Sequence, residues 1–290
     1  MPAGTNRVNK NIRQPRTEAQ ARPSGRADHG EHDDAEERSY SYPAFRCRHG
    51  RRNSSKGYHV YKPDLSDDGQ LSAMDTTTTA AGIRTVLNVG GNSKAIAIPA
   101  HYDGWRHDLL DIDPAGDPDI LCDARELLTL PGMAYDSIYC SHNLEHYYAH
   151  DVPKVLKGFM HMLKSDGFAD IRVPDLDAVM QTYVKRKMDI TDVLYQSPSG
   201  PIMVRDVLYG FGKQIEQSGE DFYAHKTGFT PTSLQKVILK NGFRIIVITR
   251  GNLEIRAIAF KGVPRETDLD MLGFDSQKMA EALSAKPIPD

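Results

Sequence analysis

Tryptophan occurs once and cysteine three times in these 290 residues. Cys47, Cys122 and Cys140 are too few and too scattered for a disulfide framework or a paired metal knuckle. Such sparse thiols fit a reducing cytoplasm. No apolar run approaches the roughly 20 residues that a membrane-spanning helix needs. The positively charged N-terminus has no apolar stretch behind it, so it does not read as a secretory signal. An excess of one charge is also missing: 36 Lys and Arg face 39 Asp and Glu, for a formal net charge of −3. A dedicated nucleic-acid-binding domain is usually basic, and this balance argues against one. What is left is a globular enzyme or binding module. With 39% hydrophobic and 26% charged residues, part of the chain is expected to stay unpacked.

The first 82 residues are the part short of branched apolar side chains. They hold too little apolar surface to offset the entropy of ordering, so 1–82 is expected to be a disordered or loosely attached tail. Within it, Arg46, Arg48, His49, Arg51, Arg52 and Lys56 form a locally basic stretch. That stretch is either a solvated tail or an arm that touches phosphate or RNA. Four threonines, Thr76 to Thr79, lead into the folded part.

From Arg84 onward, short β-branched apolar runs each end in Gly, Asp or Pro. They cover 85–89, 108–112, 119–122, 135–140 and 168–173. This pattern predicts a parallel sheet whose loops gather at the carboxyl edge. Val152, Val155, Leu156, Phe159, Met160 and Leu163 recur at helical spacing. Asp151 stands as N-cap, Pro153 lies just inside the start, and Gly167 follows the end. A second helix opens at Thr230 and Pro231, then two strands, 243–249 and 254–260, flank a Gly251–Asn252 turn. The stretch 176–226 breaks the alternation with helical patches at 179–188 and 204–211. An insertion at the carboxyl edge of a parallel sheet lies over the ligand crevice, so it is read as a cap shaping the substrate site. The expected architecture is an α/β, Rossmann-like doubly wound sheet, mainly parallel with a C-terminal antiparallel hairpin. It occupies 83–262, carries a cap insertion at 176–226, and is followed by a C-terminal tail, 263–290.

The chemistry-bearing residues sit at the strand ends. Gly90 and Gly91 follow the first strand and let backbone approach a ligand closely, although the three-glycine dinucleotide spacing is missing. Asp111 comes about 20 residues later, where an acid of a Rossmann-type site accepts hydrogen bonds from ribose hydroxyls. Asp113 points the same way, so the choice between them stays open. Asp123 and Ala124 end the third strand. The carboxylate can accept from an adenine amino group, or it can simply cap the next turn.

The fourth strand runs into Cys140, Ser141, His142, Asn143, Leu144, Glu145 and His146. Taken together, these blocks resemble class I S-adenosylmethionine-dependent methyltransferases. The likeness is to the group whose fourth-strand block ends in Ser-His-x-Leu-Glu-His, and it runs from about Thr85 to Lys261. Leu163 to Gly167 stand where that group has a Leu-Lys-Pro-Gly-Gly turn. Asn88 stands where the family usually has an acid, and Gly90, Gly91 and Asn92 replace a Gly-Cys-Gly or Gly-Ser-Gly turn. Only about 15 residues join the first two strands, leaving the first helix short or missing. The resemblance implies S-adenosyl-L-methionine as cofactor. Asn88, Gly90 and Gly91 would flank its methionine part, Asp111 its ribose and Asp123 with Ala124 its adenine. Cys140 and Ser141 would line the methyl-donor end.

His142, Glu145 and His146 also match H-x-x-E-H, a zinc signature that places both histidines on one helix face. That reading needs a long helix through the motif, whereas here a strand precedes it and a new helix starts soon after. No metal is expected, and Glu145 and His146 are read as tying down the loop under the site. Transfer to an oxygen or nitrogen acceptor can call for a base near neutral pKa. His142 is the first candidate and His225 the second. The expectation is a methyltransferase acting on a small-molecule acceptor. The alternatives are a non-catalytic Rossmann-like binding module, and a methyltransferase of RNA or protein that grips its target with the basic N-terminal arm.

Overall fold

The computed structural model describes residues 58–62 and 82–284. The basic stretch 46–56 and most of the segment read as an N-terminal tail lie outside them.

Five strands form the parallel part of the sheet: β2 (Thr85–Val89), β3 (Arg106–Asp111), β4 (Ile120–Leu121), β5 (Tyr135–Ser141) and β6 (Leu163–Pro174). Strands β9 (Ile245–Arg250) and β10 (Glu254–Phe260) make the antiparallel hairpin, and β10 runs antiparallel to β6. An edge strand, β1 (His59–Tyr61), pairs antiparallel with β9. The order is β1-β9-β10-β6-β5-β2-β3-β4. The chain winds from β2 outward through β3 and β4, then returns to the other side of β2 with β5. Between β2 and β5 the strand order reverses, and in open α/β sheets ligands bind at such a switch point. This is a Rossmann-like α/β fold.

Period-two alternation fills both faces of the sheet. Leu87, Val89, Ile138, Cys140, Ala169, Ile171, Ile255 and Ala257 face one way, against α1 (Val152–Met162) and α5 (Pro231–Lys240). Val86, Tyr139, Phe168, Ile258 and Phe260 face the other. The second face is covered by residues that sequence reading assigned to tails. Helices α6 (Glu266–Leu272) and α7 (Ser276–Ser284) lie in the 263–290 stretch. They place Leu269, Leu272 and Met279 against that face. Tyr58 and Val60, within the expected N-terminal tail, pack beside them, and Lys62 Nζ donates to the Leu283 carbonyl. Each of these segments is too short and polar to stand out by periodicity, and the sheet supplies the apolar partner each lacks.

The link from β2 to β3 carries a 3-10 turn, Ala100–Tyr102, and no α-helix. The Tyr102 ring takes the covering place, with its hydroxyl 2.8 Å from Ser137 Oγ. Asp151 precedes α1 without capping it. Its carboxylate instead accepts from Lys154 at 2.8 Å. The cap holds α2 (Leu176–Arg186), a hairpin of β7 (Val193–Ser197) and β8 (Gly200–Met203), α3 (Val204–Tyr209) and α4 (Gly212–Ser218). It has its own small core of Val179, Leu194, Ile202, Val204 and Val207. Arg250 ties the cap to the sheet, donating to Asp175 at 2.6 Å and Asp177 at 2.8 Å. No helix among the described residues is long and apolar enough to cross a membrane.

Candidate functional site

The fully buried β2 delivers the chain into a tight turn. Gly90 sits at φ +70°, and a Cβ there would come within 2.0 Å of the Asn143 amide. Glycine is required on both counts. The side-chain amide of Asn88 lies so close over Gly91 that a Cβ there would meet it at 2.1 Å. The turn is clasped to β3. Gly90 N–H donates to the Leu110 carbonyl at 2.8 Å, and Asn92 N–H donates to Asp111 Oδ2 at 2.8 Å. Asp111 Oδ1 accepts the Asp113 N–H at 3.0 Å. Burial pushes the Asp111 carboxyl up, and the N–H groups of Asp113, Asn92 and Ile112 pull against that. Each Asp111 oxygen keeps acceptor capacity beyond these amides.

Asp111 and Asp113, left open as alternatives by the sequence, separate by position. Asp111 lines the cavity described below. Asp113 Oδ2 accepts a 2.6 Å hydrogen bond from the Tyr223 hydroxyl in the cap. Asp123 also borders the cavity, but Arg125 forks its carboxylate with bonds of 2.6 to 3.1 Å. Burial raises the Asp123 pKa, yet the Arg125 hydrogen bonds outweigh it and leave the group below the ordinary value. Ala124 and Cys140 do not face the cavity. Both side chains sit in the apolar core, and burial pushes the Cys140 thiol far up.

At the end of β5, His142 adopts φ +51°, a region a histidine enters at a cost. Its Nε2–H donates to Glu254 at 3.0 Å, and Nδ1 lies 3.4 Å from Glu145 Oε1. Burial favours the neutral ring, but Glu145 and Glu254 together raise its pKa to about 10. Both ring nitrogens are directed at carboxylates, so the geometry presents neither to an acceptor in the cavity. His225 turns away from the main cavity: its Nδ1–H donates to the Val207 carbonyl at 2.8 Å, and the ring borders a smaller cavity beside Pro174 and Leu253.

One cavity gathers Asn88, Gly90, Gly91, Asp111, Asp123 and Ser141 from the strand ends. Ile202, Phe211, Phe222 and Tyr223 enter it from the cap. Sequence reading did not single out Phe211 or Ile202, because only the folded cap shows which of its apolar residues turn inward. Tyr148 and Lys226 also reach the cavity, with the Lys226 ammonium 5.7 Å over the Tyr148 ring.

No family model matches the chain, and no curated protein matches it. Solved structures do resemble it. One is a SAM-dependent methyltransferase from Archaeoglobus fulgidus, at 16% identity and a TM-score of 0.41, covering 62% of this chain and 87% of that one. Another is the 1,6-didemethyltoxoflavin-N1-methyltransferase of Burkholderia thailandensis, with bound 1,6-didemethyltoxoflavin and S-adenosylhomocysteine. It stands at 16% identity and a TM-score of 0.37, covering 62% of this chain and 72% of that one. A third is a SAM-dependent methyltransferase from Methanosarcina mazei, at 13% identity and a TM-score of 0.40, covering 63% of this chain and 95% of that one. The functional reading therefore stands on the chain's own residues.

Proposed function

We propose that this chain is an S-adenosyl-L-methionine-dependent methyltransferase whose acceptor is a small molecule held under the 176–226 cap. The observation that carries this reading is a single cavity floored by the glycine turn and strand-end acids and walled by cap aromatics. The floor fits the cofactor. Gly90 and Gly91 line the cavity with backbone packed against the Asn143 and Asn88 side chains, and Asp111 keeps lone pairs for ribose hydroxyls. In this reading Asn88, Gly90 and Gly91 flank the methionine part, Asp123 reaches the adenine edge, and Ser141 borders the methyl-donor end.

When bound, the cofactor supplies a methyl group on a sulfonium already activated for transfer. The chain's part is then to align the acceptor in line with that methyl and to keep water away. Phe211, Phe222 and Ile202 supply apolar walls for both tasks. With both ring nitrogens of His142 facing carboxylates and His225 on the smaller cavity, catalysis is assigned to alignment rather than to a histidine base. His142 is a positioning residue that fixes the loop after β5.

A second reading, a non-catalytic binding module, is favoured by one feature: Asn88 gives no anion for the cofactor's ammonium group. Incubating the full chain with methyl-labelled cofactor and a small-molecule extract separates the possibilities. Label in a small molecule supports the proposal. Label only in RNA or protein replaces it with a macromolecular acceptor. Cofactor binding with no transfer to any acceptor supports the binding module.

A further inference from the structure

Between the main cavity, which His146 lines, and the smaller one, which His225 lines, three metal-ligating side chains converge from two parts of the chain. Glu145 and His146 come from the 3-10 turn after β5, and His225 comes from the loop that returns from the cap. One ligand atom from each lies within 4.8 Å of the others. Glu145 is 1% exposed, and its Oε2 has no hydrogen-bond partner. His225 Nε2 is buried and equally without a partner. Because its Nδ1–H donates to the Val207 carbonyl, Nε2 of the neutral ring carries the lone pair. The His146 Nδ1–H donates to the Ala224 carbonyl at 3.2 Å. The His142 carbonyl also bonds the His146 ring, and metal-ligating histidines usually donate one ring N–H to a carbonyl, which fixes the tautomer.

We propose that Glu145, His146 and His225 form a site for one divalent transition-metal ion of the zinc type. Two imidazoles and a carboxylate are a donor set for such ions. Bonds of about 2.0–2.1 Å put tetrahedral ligands roughly 3.3 Å apart, so small rotamer changes close the set. The backbone is already arranged for it: Lys226 N–H and Thr227 N–H both donate to the Glu145 carbonyl, and His225 N–H donates to the Tyr209 carbonyl. An ion here pins the returning end of the cap to the loop after β5. The motif is not the H-x-x-E-H helix weighed from sequence. His142 pairs with Glu145 Oε1 instead of joining the set, and the second histidine arrives 79 residues after His146. This site stands independently of the methyl-transfer reading.

The alternative occupant is a proton, with His225 as an imidazolium bonded to Glu145. Cobalt binding to chelator-treated full-length chain distinguishes the two. The proposal expects one equivalent of Co²⁺ with a visible d–d absorption band, displaced by one equivalent of Zn²⁺. His225→Ala, on a half-buried loop, is expected to weaken binding more than about 100-fold, beyond the usual loss of an outer-shell partner. Glu145→Gln is expected to do the same, with circular dichroism confirming that each variant folds. His150→Ala, at an exposed histidine, is expected to bind as the parent does. Anomalous diffraction from Zn²⁺-treated crystals of the unmodified chain should place the ion between the three side chains, whether or not Glu145→Gln folds. Absence of a stoichiometric band, unchanged binding in His225→Ala, or no anomalous peak at the cluster overturns the proposal.

Discussion

The Tyr223 hydroxyl donates to Asp113 Oδ2 across 2.6 Å, joining the cap to the end of β3 over 110 residues of sequence. Burial raises the Tyr223 pKa and the carboxylate beside it adds to the rise, so the phenol stays a donor at working pH. A hydrogen bond to a charged acceptor is worth about 1.5–3 kcal/mol when shielded, and less where water reaches it. Tyr223→Phe is therefore expected to loosen the cap without unfolding the sheet. Hydrogen exchange should speed up across 200–226 and stay unchanged in β2 and β5. Equal protection of the cap in both proteins would contradict the link.

Asp111 has two duties, clasping the glycine turn and facing the cavity. Asp111→Ala is expected to lower affinity for S-adenosylhomocysteine by on the order of 1.5–3 kcal/mol. It should also lower the melting temperature, because the Asn92 and Asp113 amides lose their acceptor. Calorimetry and thermal denaturation on the same preparation read both. Undiminished affinity in Asp111→Ala, with a loss in Asp113→Ala, would move the ribose contact two residues on.

Gly90 is required by backbone and by space. Gly90→Ala adds the roughly 1–2 kcal/mol cost of a left-handed non-glycine residue to a clash with Asn143. Overpacking of this kind typically costs about 1–3 kcal/mol. A loss of stability of about 2–5 kcal/mol in urea denaturation is expected. A neutral substitution would show that the turn is built differently.

A buried ionic group on the second face of the sheet sets the acid response. Burial lowers the His101 pKa to about 4, with Asp170 opposing. Burial raises the Asp170 carboxyl, but Arg256 and Arg172 override it and bring it to about 2. Both folded values lie below the ordinary ones of 6.5 and 3.8. In each case the unfolded chain binds the proton more readily, so stability falls as pH falls. The His101 contribution is complete above pH 6.5 and lost on the way to pH 4. The Asp170 contribution is lost below 3.8. Urea midpoints measured from pH 7 to 4 should drop, and His101→Gln should flatten that stretch. A flat profile in the parent chain contradicts this.

Much of the sheet was legible because strand propensity and turn residues are local. The runs at 85–89 and 135–140, the Gly251 turn and the helix from Val152 all reappear within a residue or two. Sequence reading placed Asn88, Gly90, Gly91, Asp111 and Ser141 at strand ends, and parallel pairing brings them to one edge. What was not legible depends on distant partners. Helices α6 and α7 read as a tail because their apolar residues find cover only on the sheet. Cys140 read as a cavity residue because strand alternation was not followed through β5, where it faces the first core while Tyr139 and Ser141 face the opposite side of the sheet. His142 stood as the first candidate base, and neither Glu254, 112 residues away, nor the inward turn of Glu145 is visible in the local motif.

The central claim is that the cavity at the β2–β5 switch point binds the methyl donor. Isothermal titration of the full-length chain with S-adenosylhomocysteine tests it most directly. One saturable site, weakened in Asp111→Ala, is the expected result. No heat and no thermal shift at millimolar ligand would contradict the account.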